Sequence, residues 1–431
     1  MQRFASVSWA LGLTLALTAA ARADVQVTTL DGETLRGLSI EGRSADYLAL
    51  TTAEGQVRKI PTRQVVEVLT LPAPTAGKAP PPFEVELTDG SRLRGHLEGG
   101  AGGALLVHSA MLAQGGARMG SVLLKDEQIR AVRRLSAAKM PARSRLVRIP
   151  GKDAAYTLEG ARVEGFVESF GRDGVTMDRG PLPGRTIPFD KLAALFVDQA
   201  IMPAPQGLHV VARLADGSAI VLGRGFKVQE SVLTGTSPAG LELSLSMKRV
   251  AALSFAGGSF VHLSDLRPVR IERTPFFPPL KKEPWPLYLD FVMPVRFDKS
   301  PDGNPIRLGG QRLFKGIGVR PRTELVYDLG AGFKEFRALC GIDDEVRDPG
   351  YGRGSGEGSV IFTVLVDGVK KYESPPVVGG GGEAVRVRVP LEGAKQLSLI
   401  VDIVPPDKMP GGVKDSPELD NAVWGRPLLV R

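Results

Sequence analysis

Two segments of this chain carry nearly the same turn: TLDGETLRG, Thr29 to Gly37, and LTDGSRLRG, Leu87 to Gly95. Alternating apolar residues precede each one, Val25 and Val27 in the first, Phe83, Val85 and Leu87 in the second. Asp-Gly supplies the positive φ that a tight hairpin needs, so each segment reads as strand, turn, strand. Ile60-Pro61 then leads to Val65-Val66, and Leu123-Leu124 leads to Ile129. A weaker third copy starts at Leu146, with Leu158-Glu159-Gly160 and Ile187-Pro188-Phe189, and a fourth at Leu208, with Asp216-Gly217. The turn glycines Gly32, Gly90, Gly160 and Gly217 recur irregularly, about 60 residues apart. A chain built this way repeats one small β unit.

About five short strands per unit suggest a small barrel that closes its own edges. The arrangement resembles SH3-like or Sm-like barrels, and the turn aspartates read as turn formers. The expected layout is repeat 1 at 24–70, repeat 2 at 83–135, repeat 3 at 146–198 and repeat 4 at 208–272, followed by a different domain at 287–431. Proline-rich connections separate these units, LPAPTAGKAPPP from Leu71 and TPFFPPLKKEPWP from Thr274. The fold class expected is all-β: repeated small barrels, then a two-sheet jelly roll.

The chain starts with Arg3, an apolar stretch from Val7 to Ala20 and Ala21-Arg22-Ala23. That is the pattern of a secretory signal peptide over 1–23. The localisation expected is therefore exported: periplasmic, cell-surface or extracellular. The apolar stretch is short for a membrane span, so no transmembrane span is expected. Losing Arg3 and Arg22 lowers the formal charge from +8 to +6, too little for a dedicated nucleic-acid binder. The segment from Arg130 to Arg148 holds seven basic residues and no acid, and lacks the interleaved aromatics of a base-stacking surface. The single cysteine, Cys340, excludes an internal disulfide and a cysteine-based zinc site.

From Leu287 onward the strand-like segments are LYLDFVM, ELVYDL, EFRALCGI, SVIFTVLVDG, AVRVRVPL and QLSLIVDIV. In SVIFTVLV both alternating faces are mostly apolar, which suits a strand buried on two sides. The runs IRLGGQRLFKGIGV, ELVYDLG, FKEFRALCGIDDEV, GSVIFTVLVDGVKKYES, KQLSLIVD and DNAVWGRPLLV resemble the NPCBM/NEW2 domain in order and spacing. That family comprises carbohydrate-binding modules with a galactose-binding-like jelly-roll fold. The resemblance covers the C-terminal third and implies a glycan or polysaccharide as partner. Where the family commonly has a histidine after G-[IL]-G-V, this chain has Arg320. Arg320 could instead meet an acidic sugar through its guanidinium fork. Tyr351 and Trp424 are the candidate aromatic platforms.

Asp343, Asp344 and Glu345 follow the strand-like FRALCGI. Adjacent acids on one loop seldom flank a glycosidic bond as a hydrolase requires. Calcium, which takes carboxylate oxygens, is the metal they would suit, and galactose-binding-like jelly rolls often carry a structural one. No other cofactor is expected. The chain lacks G-x-S-x-G, a P-loop and H-E-x-x-H, so the reading is not an enzyme. The function expected is a non-catalytic exported protein whose jelly roll binds carbohydrate, with the small barrels as spacers or interaction modules. The alternative is a structural protein of the cell envelope whose partners are other envelope proteins and which binds no sugar.

Overall fold

The structure is a computed structural model that describes residues 25–43, 46–75, 80–112, 120–137, 140–142, 145–203, 205–223, 225–275, 285–349 and 357–431. The leader expected over 1–23, residues 76–79 of the proline-rich connection before repeat 2 and Tyr351 fall outside these residues.

Each repeat runs strand, bent strand, two further strands, a 3₁₀ turn and a last strand. In repeat 1 these are Val25–Thr29, Thr34–Gly37 with Ser39–Arg43, Tyr47–Thr51, Val57–Pro61, Thr62–Gln64 and Val65–Thr70. The Asp-Gly and Glu-Gly turns behave as their residues dictate, since Gly32, Gly90, Gly160 and Gly217 take φ of 89°, 84°, 89° and 89°. First and last strands pair antiparallel in all four copies, aligning Val27 with Val68, Val85 with Val132, Ala155 with Leu195 and Ala212 with Leu253. Their inward side chains fill one continuous apolar core.

The repeats are not separate barrels. Among the described residues no pairing joins the fourth strand of a copy to its fifth, where the 3₁₀ turn intervenes. The last strand's edge left open in this way pairs with a neighbouring copy, while the fourth strands Val57–Pro61, Gly120–Leu124, Leu182–Pro188 and Glu242–Ser246 stay at sheet edges. The last strands of repeats 1 and 4 pair, with Val68 opposite Leu253, and those of repeats 2 and 3 pair, with Val132 opposite Leu195. Arg92 opposite Ala219 links repeats 2 and 4. The result is a 16-stranded sheet in which the copies lie in the order third, second, fourth, first. Repeats 1 and 4 also share a second, 6-stranded sheet through Val228 and Gly42.

Repeats 2 and 4 interlock through the serine that follows each Asp-Gly. Ser91 Oγ accepts from the Val221 N–H at 3.0 Å, and Ser218 Oγ accepts from the Arg94 N–H at 2.9 Å. The two bonds are related by a local twofold, since each donor lies three residues after its own serine. Asp89 and Asp216 hold their own turns, accepting from the Ser91 and Ser218 N–H groups. They also reach across, Asp89 to the Ala239 N–H and Asp216 to the Ser109 hydroxyl.

The C-terminal domain is a sandwich of two antiparallel sheets. One contains Arg296–Phe297, Gly316–Val319, Ala422–Val430, Glu335–Ile342 and Val385–Pro390. The other contains Thr323–Asp328, Gln396–Ile403, Ser359–Val366, Val369–Glu373 and Val377–Val378. Between them lie Phe336, Phe362, Tyr327, Leu399, Val401 and Trp424. Cys340 is buried in this core, and burial pushes its thiol pKa up.

Two expectations about this region change. LYLDFVM is not a strand: Trp285–Val292 forms the α-helix, with Met293 donating to the Leu289 carbonyl at 2.8 Å. A short apolar run fits either period, and Pro286 at the start suits a helical first turn. The expected boundary at 272 also moves. Phe260–His262 pairs with Ala422–Val430 and Arg270–Arg273 with Thr323–Asp328, so both strands belong to the sandwich. A buried ion pair, Arg426 to Glu67 at 2.8 Å, fixes the sandwich to repeat 1.

Ser91 and Ser218 are 0% and 1% exposed. Replacing either with alanine strands a backbone donor of the other repeat, which costs about 1–3 kcal/mol. Urea unfolding of Ser91→Ala and Ser218→Ala should show losses of that order; an unchanged midpoint for both would mean the interlock adds no stability.

Candidate functional site

The strand Glu335–Ile342 delivers Gly341–Val346 to one end of the sandwich, where the chain turns into the 3₁₀ segment Asp344–Arg347. Asp343 is its N-cap: Oδ1 accepts from the Glu345 N–H at 3.0 Å and Oδ2 from the Arg307 N–H at 3.0 Å. Asp344 accepts from the Gly309, Gly310 and Gly381 N–H groups at 3.1, 2.7 and 2.9 Å. Glu345 is buried and accepts from Asn304 Nδ2 and Asn421 Nδ2, each at 2.8 Å. All six carboxylate oxygens therefore accept from N–H donors, and the three side chains diverge.

Calcium needs six to eight converging oxygens, and N–H groups pointing at these carboxylates compete with any cation. The residues do not fit the structural calcium expected from their adjacency. Among the described residues no group of three acids, histidines or cysteines is placed to hold a metal. Consecutive acids can face three directions once a strand ends in a cap, and that geometry is invisible in the letters GIDDEV. Burial raises the pKa of Asp343 to about 7, against the pull of its two backbone donors.

Arg320 ends the strand Gly316–Val319 at the same end of the sandwich. Its guanidinium donates to Asp302 Oδ1 at 3.0 Å and to the Glu418 carbonyl at 3.1 Å. Asp302 Oδ2 accepts from Asn421 Nδ2 at 3.2 Å, and the same amide reaches Glu345. Arg320 and Glu345, far apart in sequence, are thus joined through Asp302 and Asn421 into one polar rim.

Asp420 sits behind this rim, fully buried. Its Oδ1 accepts from the Ser359 N–H at 2.6 Å, while Oδ2 is buried without a partner. Burial raises its pKa to about 8; the Ser359 N–H and Arg320 oppose the rise, and Asp415 and Glu418 add to it. Asp302, Glu418, Asp420 and Asn421 were not expected. The signal lay in DNAVWG, where two polar residues immediately precede a strand that the structure buries from Ala422 to Val430.

Trp424 is not a platform. It is 0% exposed and packs edge-on against Phe362 at 4.9 Å and Phe336 at 6.1 Å. It lies on the strand between Gly316–Val319 and Glu335–Ile342, at the centre of its sheet, so its large ring fills the space between the layers. The structure brings Arg320 together with the acidic segment and sends Trp424 to the core.

Two antiparallel sheets with a hydrogen-bonded rim of loop residues at one end define a β-sandwich module. Residues 284–429, the C-terminal third of the chain, match the NPCBM/NEW2 domain. A stretch of 102 residues is 38% identical to a Renibacterium salmoninarum protein named "Putative endo-alpha-N-acetylgalactosaminidase". That stretch is 24% of this chain and 6% of the relative, so the chain spans a small fraction of that protein. The CBM51 module from Clostridium perfringens GH95, solved in complex with methyl-galactose, is 25% identical and covers 40% of this chain and 99% of its own, with a TM-score of 0.29. The tandem CBM51 modules of Sp3GH98 from Streptococcus pneumoniae are 14% identical over 84% of this chain and 96% of theirs, with a TM-score of 0.30.

Asp420 gives the rim a pH signature. Its folded pKa of about 8 lies above the ordinary 3.8, so the folded state keeps a proton that the unfolded chain has lost. This group's contribution to stability therefore falls as pH rises from about 4 to about 8. Asp420→Asn retains the acceptor for Ser359 and removes the titration. Urea midpoints at pH 5 and 8.5 should drop less in the variant than in the wild type; equal drops would show that Asp420 ionises normally.

Proposed function

We propose that this protein is a non-catalytic glycan-binding protein in which the sandwich holds carbohydrate at the Arg320 rim and the fused repeats act as a stiff spacer or interaction arm. The observation that carries the reading is the match of residues 284–429 to a carbohydrate-binding-module family. The rim suits the task chemically. Arg320 offers a planar set of donors, and Asp302, Asn421 and Glu418 stand beside it as partners for sugar hydroxyls. The non-catalytic part is supported by Asp343, Asp344 and Glu345, whose oxygens are all occupied with loop and amide N–H groups. Export completes the reading and rests on the leader pattern of residues 1–23. Among the described residues no helix is long and apolar enough to cross a membrane. Weak single sites gain retention when the protein is arrayed on a surface.

A second reading, an envelope protein that binds other proteins and no sugar, is favoured by Arg320 itself. It replaces the expected histidine, and Asp302 and Glu418 already engage it. Retardation of the chain in gels containing neutral or acidic polysaccharides separates the two. Glycan binding predicts retention by at least one polysaccharide, weakened about tenfold by Arg320→Ala at an unchanged unfolding midpoint. Absence of retention across the whole panel favours the protein-binding account.

A further inference from the structure

A second concavity lies outside the rim, between repeat 1 and the outer face of the sandwich, and encloses about 190 Å³. By volume it holds on the order of ten waters, enough room for one pyranose ring. Its arginines are placed by strand register. Arg337 lies directly opposite Arg388, and Leu339 opposite Arg386, across the pair Glu335–Ile342 and Val385–Pro390. Like charges directly opposite destabilise a sheet unless an anion compensates them. Glu335 compensates Arg337. Arg388 and Arg386 have no carboxylate partner among the described residues. They donate instead to the Asp31 and Gly32 carbonyls at 2.6 and 3.4 Å. Each guanidinium carries five N–H groups, so most of their donors remain unspent.

The opposite wall adds an unsatisfied hydroxyl. Thr28 lines the cleft at 5% exposure, and its Oγ1 is buried without a partner. Thr28 stands cross-strand from Glu67, whose carboxylate holds Arg426 of the sandwich, so the hydroxyl points toward the same side. Leu308 and Leu428 supply apolar surface beside these polar groups. Asp31 and Glu383 also line the cleft, against four arginines, and the exposed forks of Arg386 and Arg388, the buried hydroxyl and the apolar wall match a sugar ring that bears a negative group.

We propose that this cleft binds an anionic saccharide unit, its carboxylate held by Arg386 and Arg388 and its ring seated beside Thr28, Leu308 and Leu428. The site combines residues of repeat 1 with residues of the sandwich and is separate from the Arg320 rim. It also gives repeat 1 a part in recognition, beyond that of a spacer.

The test is calorimetric titration of the full chain with tri-galacturonate, with neutral galactose oligomers, acetate and inorganic sulfate as comparisons. Saturable uronate binding is expected, weakening as salt is raised. Arg386→Gln combined with Arg388→Gln should weaken it at least tenfold. Thr28→Val keeps every charge and removes only the hydroxyl; it should weaken uronate severalfold without lowering the unfolding midpoint, which separates binding from folding. Unchanged affinity in both variants overturns the proposal. So does uronate binding that survives both and disappears in Arg320→Ala, which would place the anion at the rim. Acetate or sulfate binding as tightly as the uronate overturns the saccharide assignment.

Discussion

An exposed strand edge is a row of unpaired backbone donors and acceptors, and covering such edges organises this molecule. Each repeat folds around its Asp-Gly or Glu-Gly hairpin and pairs its first strand with its last, yet leaves edges that its own strands do not cover. Neighbouring copies cover several of them: last strand to last strand between repeats 1 and 4 and between 2 and 3, then second strand to second strand between 2 and 4. The same rule continues into the C-terminal domain. Phe260–His262 and Arg270–Arg273, just past the fourth repeat, extend one sheet of the sandwich and then the other. Arg426 and Glu67 pin the sandwich back onto repeat 1. A buried pair of this kind is costly to break from one side, because the remaining charge has no partner.

Within the sandwich, polar and apolar groups separate sharply. Trp424, Phe336 and Phe362 pack edge to face between the sheets. Just beyond the ends of two strands of the same sandwich, Asp343, Glu345, Asp420 and Asn421 are equally buried but form a hydrogen-bonded frame for the loops. Asp343 and Asp344 collect backbone N–H groups from Arg307, Gly309, Gly310 and Gly381, so carboxylates tie three loops together at this end. Their chemistry is structural. Arg320 and Asp302 stand on the solvent side of that frame, at the proposed glycan site.

Much of this was legible in the sequence where local chemistry decides. Asp-Gly at 31–32, 89–90 and 216–217 announced hairpins because few residues besides glycine accept φ near 85°. SVIFTVLV announced a buried strand, and Val360, Phe362 and Val364 are fully buried. What escaped depended on distant partners. The letters of Val65–Thr70 do not say that its free edge will find Val250–Ala256. The tryptophan of DNAVWG could have served as platform or core, and only its central place in the sheet decides. Asp343, Asp344 and Glu345 looked like one site because they are neighbours in sequence; the cap geometry turns each to different donors. LYLDFVM was short enough to fit two periods, and the helix won.

Hydrogen–deuterium exchange of the intact chain, with and without a polysaccharide that retains it, tests the central claim that glycan is met by a rim mounted on an edge-joined body. The account expects added protection in peptides covering Asp302, Arg320 and Glu418–Asn421. It also expects Phe260–His262 and Arg270–Arg273 to exchange as slowly as the sandwich strands they join, with or without ligand. Protection confined to the core strands, or free-linker exchange at 260–273, would contradict it.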